Sequence, residues 1–208
     1  MPRSSSSLAE VGVVIPLRSF SRGKSRLAGA LDAVAHEAFV RGLADGVADA
    51  AVPHPVVVIT SAPEVIEWAR ERGLSVVADR GSLDRAADDG RVWAAERGCT
   101  RVVVVHADLP DIVSLDAVTA EAAQPVAVIV PCHRDDGTPV LSIPVRSIGD
   151  HPPFEFSYGP GSFARHRAAA RRAGLEVRVV RDDALAFDVD GPDDLAVVLA
   201  RRRVTPER

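Results

Sequence analysis

Aromatic residues make up only 4% of the 208-residue sequence, and acidic side chains outnumber basic ones to leave a net charge of -4. A surface that stacks the bases of single-stranded nucleic acid needs rings, and a general nucleic-acid binder needs a basic face, so no nucleic-acid partner is expected. The two cysteines, Cys99 and Cys132, form no CxxC pair; they give neither a zinc motif nor a disulfide framework and fit a reducing cytoplasm. No aliphatic run is longer than a strand, whereas a membrane-crossing helix needs about 20 apolar residues. The leading MPRSSSSLAE carries serines where a signal peptide would carry an apolar stretch. The expectation is a cytoplasmic protein with no membrane partner; these numbers leave a homodimer open.

What is present is an ordinary globular balance, 47% hydrophobic and 26% charged, in a length that suits one domain better than two. Short β-branched runs alternate with longer segments of helical period, the pattern of βα units building a mostly parallel sheet. Strands are predicted at 12–17, 56–60, 74–78, 102–105, 126–130, 175–180 and 185–189, with 140–145 extended. Helices are predicted at 31–47, 63–72, 86–97, 162–173 and 192–203. The four valines Val102–Val105 read as a central strand buried on both faces. The fold expected is a single α/β domain over residues 11–203, a mostly parallel sheet with flanking helices, between a flexible N-terminus at 1–10 and a tail at 204–208.

Three segments carry chemistry. Pro16 to Leu27 follows the first strand and holds Arg18, Arg22, Lys24 and Arg26 among serines and a glycine; such a loop can wrap a triphosphate with charge-assisted hydrogen bonds. Lys24 is the first choice for contacting the phosphates that are transferred. Gly23-Lys24-Ser25 is not a P-loop, because the glycine required five positions earlier is Arg18. A solvated basic turn has the same bare pattern.

Asp108 stands just past the valine strand, where ligands of open α/β sheets gather. A carboxylate there can hold magnesium bridging nucleotide phosphates, and Asp188 and Asp190, two residues apart on an extended segment, would point the same way as its partners. Helix capping by Asp111 or Asp190 and a structural turn at Asp108 are the plainer alternative. Third, Phe156 to His166 runs a glycine-rich turn into a helix, so that backbone N–H groups and the Ser162 hydroxyl can receive an anion, with Arg165 or His166 one turn on. His36, His54, His133 and His151 show no ligand spacing and are expected as scattered surface residues.

Taken together, Ile15-Pro16-Leu17-Arg18 through Lys24-Ser25-Arg26-Leu27, Asp108-Leu109-Pro110, Asp136-Gly137-Thr138, Gly159-Pro160-Gly161-Ser162-Phe163 with His166, and Asp188-Val189-Asp190-Gly191-Pro192-Asp193-Asp194-Leu195 resemble the phosphoenolpyruvate or 2-phospho-L-lactate guanylyltransferases of coenzyme F-420 biosynthesis. The resemblance covers nearly the whole chain. It implies a nucleotide-diphospho-sugar-transferase-like (Rossmann-like) domain that uses GTP and Mg2+ and joins GMP to a small phosphorylated carboxylic acid. It places Lys24 and Asp108 in catalysis, and Pro16, Leu17, Arg18, Lys24, Arg26 and Asp84 at the nucleotide. It places Thr138, Gly159 and Ser162 at the acid, and the metal on Asp108, Asp188 and Asp190. Two departures bear on base and acid choice: Ser82-Leu83-Asp84-Arg85-Ala86 stands where the family commonly reads Gly-Leu-Asn-Ala-Ala, and Gly137-Thr138-Pro139-Val140-Leu141 where it reads Gly-Thr-Asn-Ala-Leu. A nucleotidyltransferase of other base or acceptor, such as 3-phosphoglycerate, and an inactive nucleotide-binding relative are the alternatives.

Overall fold

The structure is a computed structural model that describes residues 11–21, 31–120 and 124–204. Seven strands form one sheet in the order β3-β2-β1-β4-β6-β5-β7. Their ranges are β1 Val11–Pro16, β2 Val56–Ile59, β3 Ser75–Val77, β4 Arg101–Val105, β5 Val126–Val130, β6 Val140–Pro144 and β7 Glu176–Val179. All pairings are parallel except those of β6, which runs antiparallel to both β4 and β5. The helices are α1 Ala33–Ala50, α2 Pro63–Glu71, α3 Leu83–Glu96, α4 Asp116–Thr119, α5 Ser162–Arg172, α6 Asp183–Ala186 and α7 Pro192–Val204.

Alternate residues of each central strand feed opposite faces of the sheet. Val13, Ile15 and Val103 pack with Val40, Ala44 and Val47 of α1 and with Val65 and Trp68 of α2. Val14, Val102 and Val104 pack on the other side with Ala87 and Trp93 of α3 and Ala169 of α5. Val102 to Val105 are wholly buried, as a strand covered on both faces requires, and each such valine contributes roughly 1.5–3 kcal/mol relative to exposure. A third, smaller cluster joins Leu43 of α1 to Val189, Leu195 and Val198 at the start of α7.

Local chemistry sets the ends. The Asp32 carboxylate accepts from Ala35 N at 2.8 Å and starts α1. Ser82 Oγ accepts from Arg85 N at 3.2 Å, so α3 begins at Leu83, three residues before the hydrophobic period alone places it. The strand predicted at 185–189 is a correction: Asp182 accepts from Ala184 N and Leu185 N, turning the chain into α6, and the residues after it are irregular. β4 also starts one residue earlier than predicted, at a fully buried Arg101.

Candidate active site at the carboxyl ends of the strands

Because β1 and β4 are parallel neighbours, with Val14 opposite Val104, their carboxyl ends open at the same edge of the sheet. Pro16, Leu17 and Arg18 leave β1 there, and His106 and Asp108 leave β4. These residues line a cavity of about 540 Å³ whose outer wall is Ile59, Asp79, the start of α3 from Gly81 to Asp84, and Ala86. Tyr158 and Gly159 complete the lining beside Asp84. Lys24 and Arg26, expected at the phosphates, lie outside the described residues.

Asp108 is joined to the distant Asp188–Asp190 segment by its own carbonyl, which accepts from Val189 N–H at 3.1 Å. Asp188 is buried, and burial, then the neighbouring charges of Asp108 and Asp190, raise its carboxyl above the ordinary range. Its Oδ1 has no hydrogen-bond partner among the described residues and lies 3.3 Å from His133 Nδ1. Asp190 does not share this orientation: its side chain is half exposed and 3.8 Å from Arg134. The two were expected on one face of an extended segment, but the segment is not a strand, so the two-residue alternation does not hold. Among the described residues no three acidic, histidine or cysteine side chains form a ready metal cluster; Asp108 and Asp188 are linked by the charge that Asp108 places on the Asp188 carboxyl.

The Asp188–Gly191 turn is itself held in place. Asp194 Oδ2 accepts from Asp190 N and Gly191 N, each at 3.0 Å, while its Oδ1 receives Arg134 at 2.7 Å. Although burial pushes the Asp194 carboxyl up, these donors hold it below its usual value. His133 is exposed as expected, yet it stands between Asp188 and Asp194, with Nε2 3.6 Å from Asp194 Oδ1; His36, also expected at the surface, is instead buried on the inner side of α1. Spacing gave no signal for the station of His133, since its neighbours come from residues 55 or more positions away.

On the other wall, the turn before α5 is gripped from outside. Arg165 donates to the carbonyls of Ser157 at 3.1 Å and Tyr158 at 2.9 Å, to that of Pro160, and to Ser157 Oγ at 2.7 Å. The turn's N–H groups are taken by three side chains: Ser157 by His166 Nε2 at 3.0 Å, Tyr158 by Asp84 Oδ1 at 2.6 Å, and Gly161 by Asp136 Oδ1 at 2.9 Å. Since His166 Nε2 accepts, its Nδ1 carries the proton and donates to Thr138 Oγ1 at 3.1 Å. Burial, then Arg165 and His106, lower the His166 pKa to about 4, so the ring stays neutral. Thr138 and Ser162 are 1% exposed, their hydroxyls 3.5 Å apart. Neither lines the cavity, whereas Gly159 does, at a φ of 98° that favours glycine. Tyr158, held neutral by burial, and His106 are cavity residues that no motif had singled out for contact.

The sequence matches known proteins along this whole architecture. The family described as "Guanylyl transferase CofC like" matches residues 11–203. A phosphoenolpyruvate guanylyltransferase of Sphaerobacter thermophilus is 35% identical, over 88% of this chain and 89% of its own length. One of Rubrobacter xylanophilus is 36% identical over 89% and 92%. A 2-phospho-L-lactate guanylyltransferase of Halomicrobium mukohataei is 35% identical over 90% and 84%. In fold, the chain is similar to a Methanothermobacter nucleotidyl transferase with a TM-score of 0.67 at 18% identity, covering 94% and 99% of the two chains. It is similar also to CMP:2-keto-3-deoxy-manno-octonic acid synthetase, with a TM-score of 0.58 at 15% identity, covering 94% and 100%. The sheet is thus that of the nucleotide-diphospho-sugar transferases and cytidylyltransferases, and the chain belongs to the CofC-like family of guanylyl transferases.

Proposed function

We propose that this protein transfers GMP from GTP to a small phosphorylated carboxylic acid, phosphoenolpyruvate or 2-phospho-L-lactate, with release of pyrophosphate, in coenzyme F-420 biosynthesis in the cytoplasm. The observation that carries the reading is Asp108 in the lining of the strand-end cavity, its charge felt by the buried carboxyl of Asp188. Burial and the neighbouring charge of Asp108 raise the Asp188 carboxyl, a cost that a cation would offset, and an oxygen donor set with the Asp188 Oδ1 lacking a hydrogen-bond partner among the described residues suits a hard divalent cation. Asp108 and Asp188 would hold Mg2+, and Asp190, turned toward Arg134, would reach it only by rotating. When bound, the ion polarises the α-phosphate and neutralises the pyrophosphate.

An oxygen of the acceptor's phosphate forms a bond to the α-phosphorus of GTP, and the bond to the bridging oxygen breaks as pyrophosphate leaves. The acceptor phosphate is already ionised, so the protein needs no nucleophile, and positioning dominates. The wall from Pro16 to Arg18 and from Gly81 to Asp84 holds the nucleotide. The gripped turn presents Gly159 to the acid, Thr138 and Ser162 support that turn from within, and Lys24 and Arg26 meet the phosphates. Among the described residues no helix is long and apolar enough to cross a bilayer.

The test is pyrophosphate release measured across the four nucleoside triphosphates with each candidate acid, the product identified by mass spectrometry. GTP with one three-carbon phosphoacid is expected to give a diphosphate-linked product. Asp108→Asn is expected to lose at least a hundredfold in turnover while keeping its melting temperature; near-normal release from it would remove Asp108 from the chemistry.

A further inference from the structure

We infer that Asp79 is a positioning residue for the nucleotide, the centre of a partition that keeps the triphosphate in the strand-end cavity; this rests on the guanylyl transfer proposed above. A second cleft, of about 910 Å³, adjoins that cavity. Arg18, Asp79 and Gly81 line both, and the same three residues are bonded to one another. Asp79 Oδ1 accepts from Gly81 N–H at 2.8 Å, and its Oδ2 lies 3.4 Å from Arg18 Nε. Arg18 closes the ring by donating to the Gly81 carbonyl at 2.6 Å. The ring ties the exit of β1 to the start of α3 across the end of β2, which lies between β1 and β3.

Asp79 is the member that gives the ring its order. Its side chain is 13% exposed against 65% for Arg18, and Ser61 Oγ, just past β2, accepts from Asp79 N at 3.1 Å. An exposed arginine paired to a carboxylate adds little by charge alone. Gly81 sits at a φ of 101°, and the Asp79 carboxylate holds that turn by taking its N–H. Beyond the partition the second cleft is acidic, lined by Glu37 and Glu64, a setting that repels a triphosphate. On the near side Gly81 leads directly into the wall from Ser82 to Asp84. A closed partition therefore sets where the nucleotide lies, although Asp79 carries the nucleotide's own sign of charge.

Charge and positioning then give opposite signs. A carboxylate acting on a polyanion by charge alone weakens its binding, so removing it would tighten GTP; removing a positioning carboxylate loosens GTP. Calorimetric titration of GTP and steady-state kinetics are made on the wild type, Asp79→Asn, Asp79→Ala, Arg18→Ala and the double alanine variant, with melting temperatures for all. Asp79→Ala is expected to bind GTP roughly tenfold or more weakly, from loss of one hydrogen bond to a charged group. KM for GTP should rise in step, while turnover at saturation and KM for the acid stay close to wild type. Asp79→Asn, whose amide oxygen still accepts from Gly81, should recover part of the loss. Because Arg18 and Asp79 act in one ring, the double variant should lose less than the two single losses combined. Unchanged or tighter GTP binding by Asp79→Ala would overturn the inference. So would losses that simply add, which would make Asp79 a direct contact, or a loss shared equally by GTP and the acid, which would make it a general structural prop. A wild type that prefers another nucleoside triphosphate would instead overturn the guanylyl reading, and the same variants titrated with that nucleotide would still decide the part of Asp79.

Discussion

Gly90 of α3 presses on Val14 of β1 so closely that a Cβ built on Gly90 would overlap both valine methyl groups. Glycine costs a helix interior about 1 kcal/mol relative to alanine, and here the contact with the sheet outweighs it. Gly90→Ala is expected to lose about 1–2 kcal/mol net, since overpacking costs roughly 1–3 kcal/mol, and to raise KM for the nucleotide because α3 carries Ser82 to Asp84 to the cavity. Denaturant unfolding and steady-state kinetics check both; an alanine variant as stable as wild type would mean that α3 can lift off β1 freely.

Arg101 enters the sheet fully buried and donates to Ser142 Oγ on β6 at 3.2 Å and to the carbonyls of Gln124 and Val126 at 2.7 and 2.9 Å. It thereby joins β4, β6 and β5. Arg101→Met matches its length but leaves those acceptors without a donor, and about 2–4 kcal/mol of stability is expected to be lost. A melting temperature unchanged by this substitution would refute the role.

Magnesium should register on the fold through Asp188. Millimolar Mg2+ is expected to raise the wild-type melting temperature, since a ligand bound only by the native state stabilises it. Asp188→Asn should show no such response and at least a hundredfold less turnover, while Asp190→Asn, whose wild-type carboxylate faces Arg134, should keep much of both. Equal loss in the two variants would place both carboxylates on the ion.

The buried His166 gives a signed pH dependence. Its folded pKa of about 4 lies below the unfolded value of 6.5, so the unfolded chain takes up the proton first. The contribution is fully present above pH 6.5 and is lost as pH falls toward 4, by up to about 3 kcal/mol. Chemical denaturation at stepped pH should show this slope in wild type and a flatter one in His166→Gln; parallel slopes would reject it.

Much of this architecture is legible in the sequence because parallel strands must be buried on both faces, and runs such as Val102–Val105 declare it. The insertion of β6 between β4 and β5 is not legible: Val140 to Pro144 reads only as extended, and direction depends on partners. The helix α6 was masked by Leu185, Phe187 and Val189, whose alternation mimics a strand, while the capping carboxylate of Asp182 decides the turn. In the cavity, Asp108 follows from its position at a strand end. The bond from Asp84 to Tyr158, the grip of Arg165 and the station of His133 join residues that only the folded chain brings together.

The final helix is fastened where it matters for chemistry. Asp194 clasps the turn behind Asp188, grips Arg134 and flanks His133. A tag, truncation or clip that unseats α7 would therefore loosen the turn that seats Asp188 before it disturbs the sheet, and under the metal role proposed above the protein would go silent while still folded.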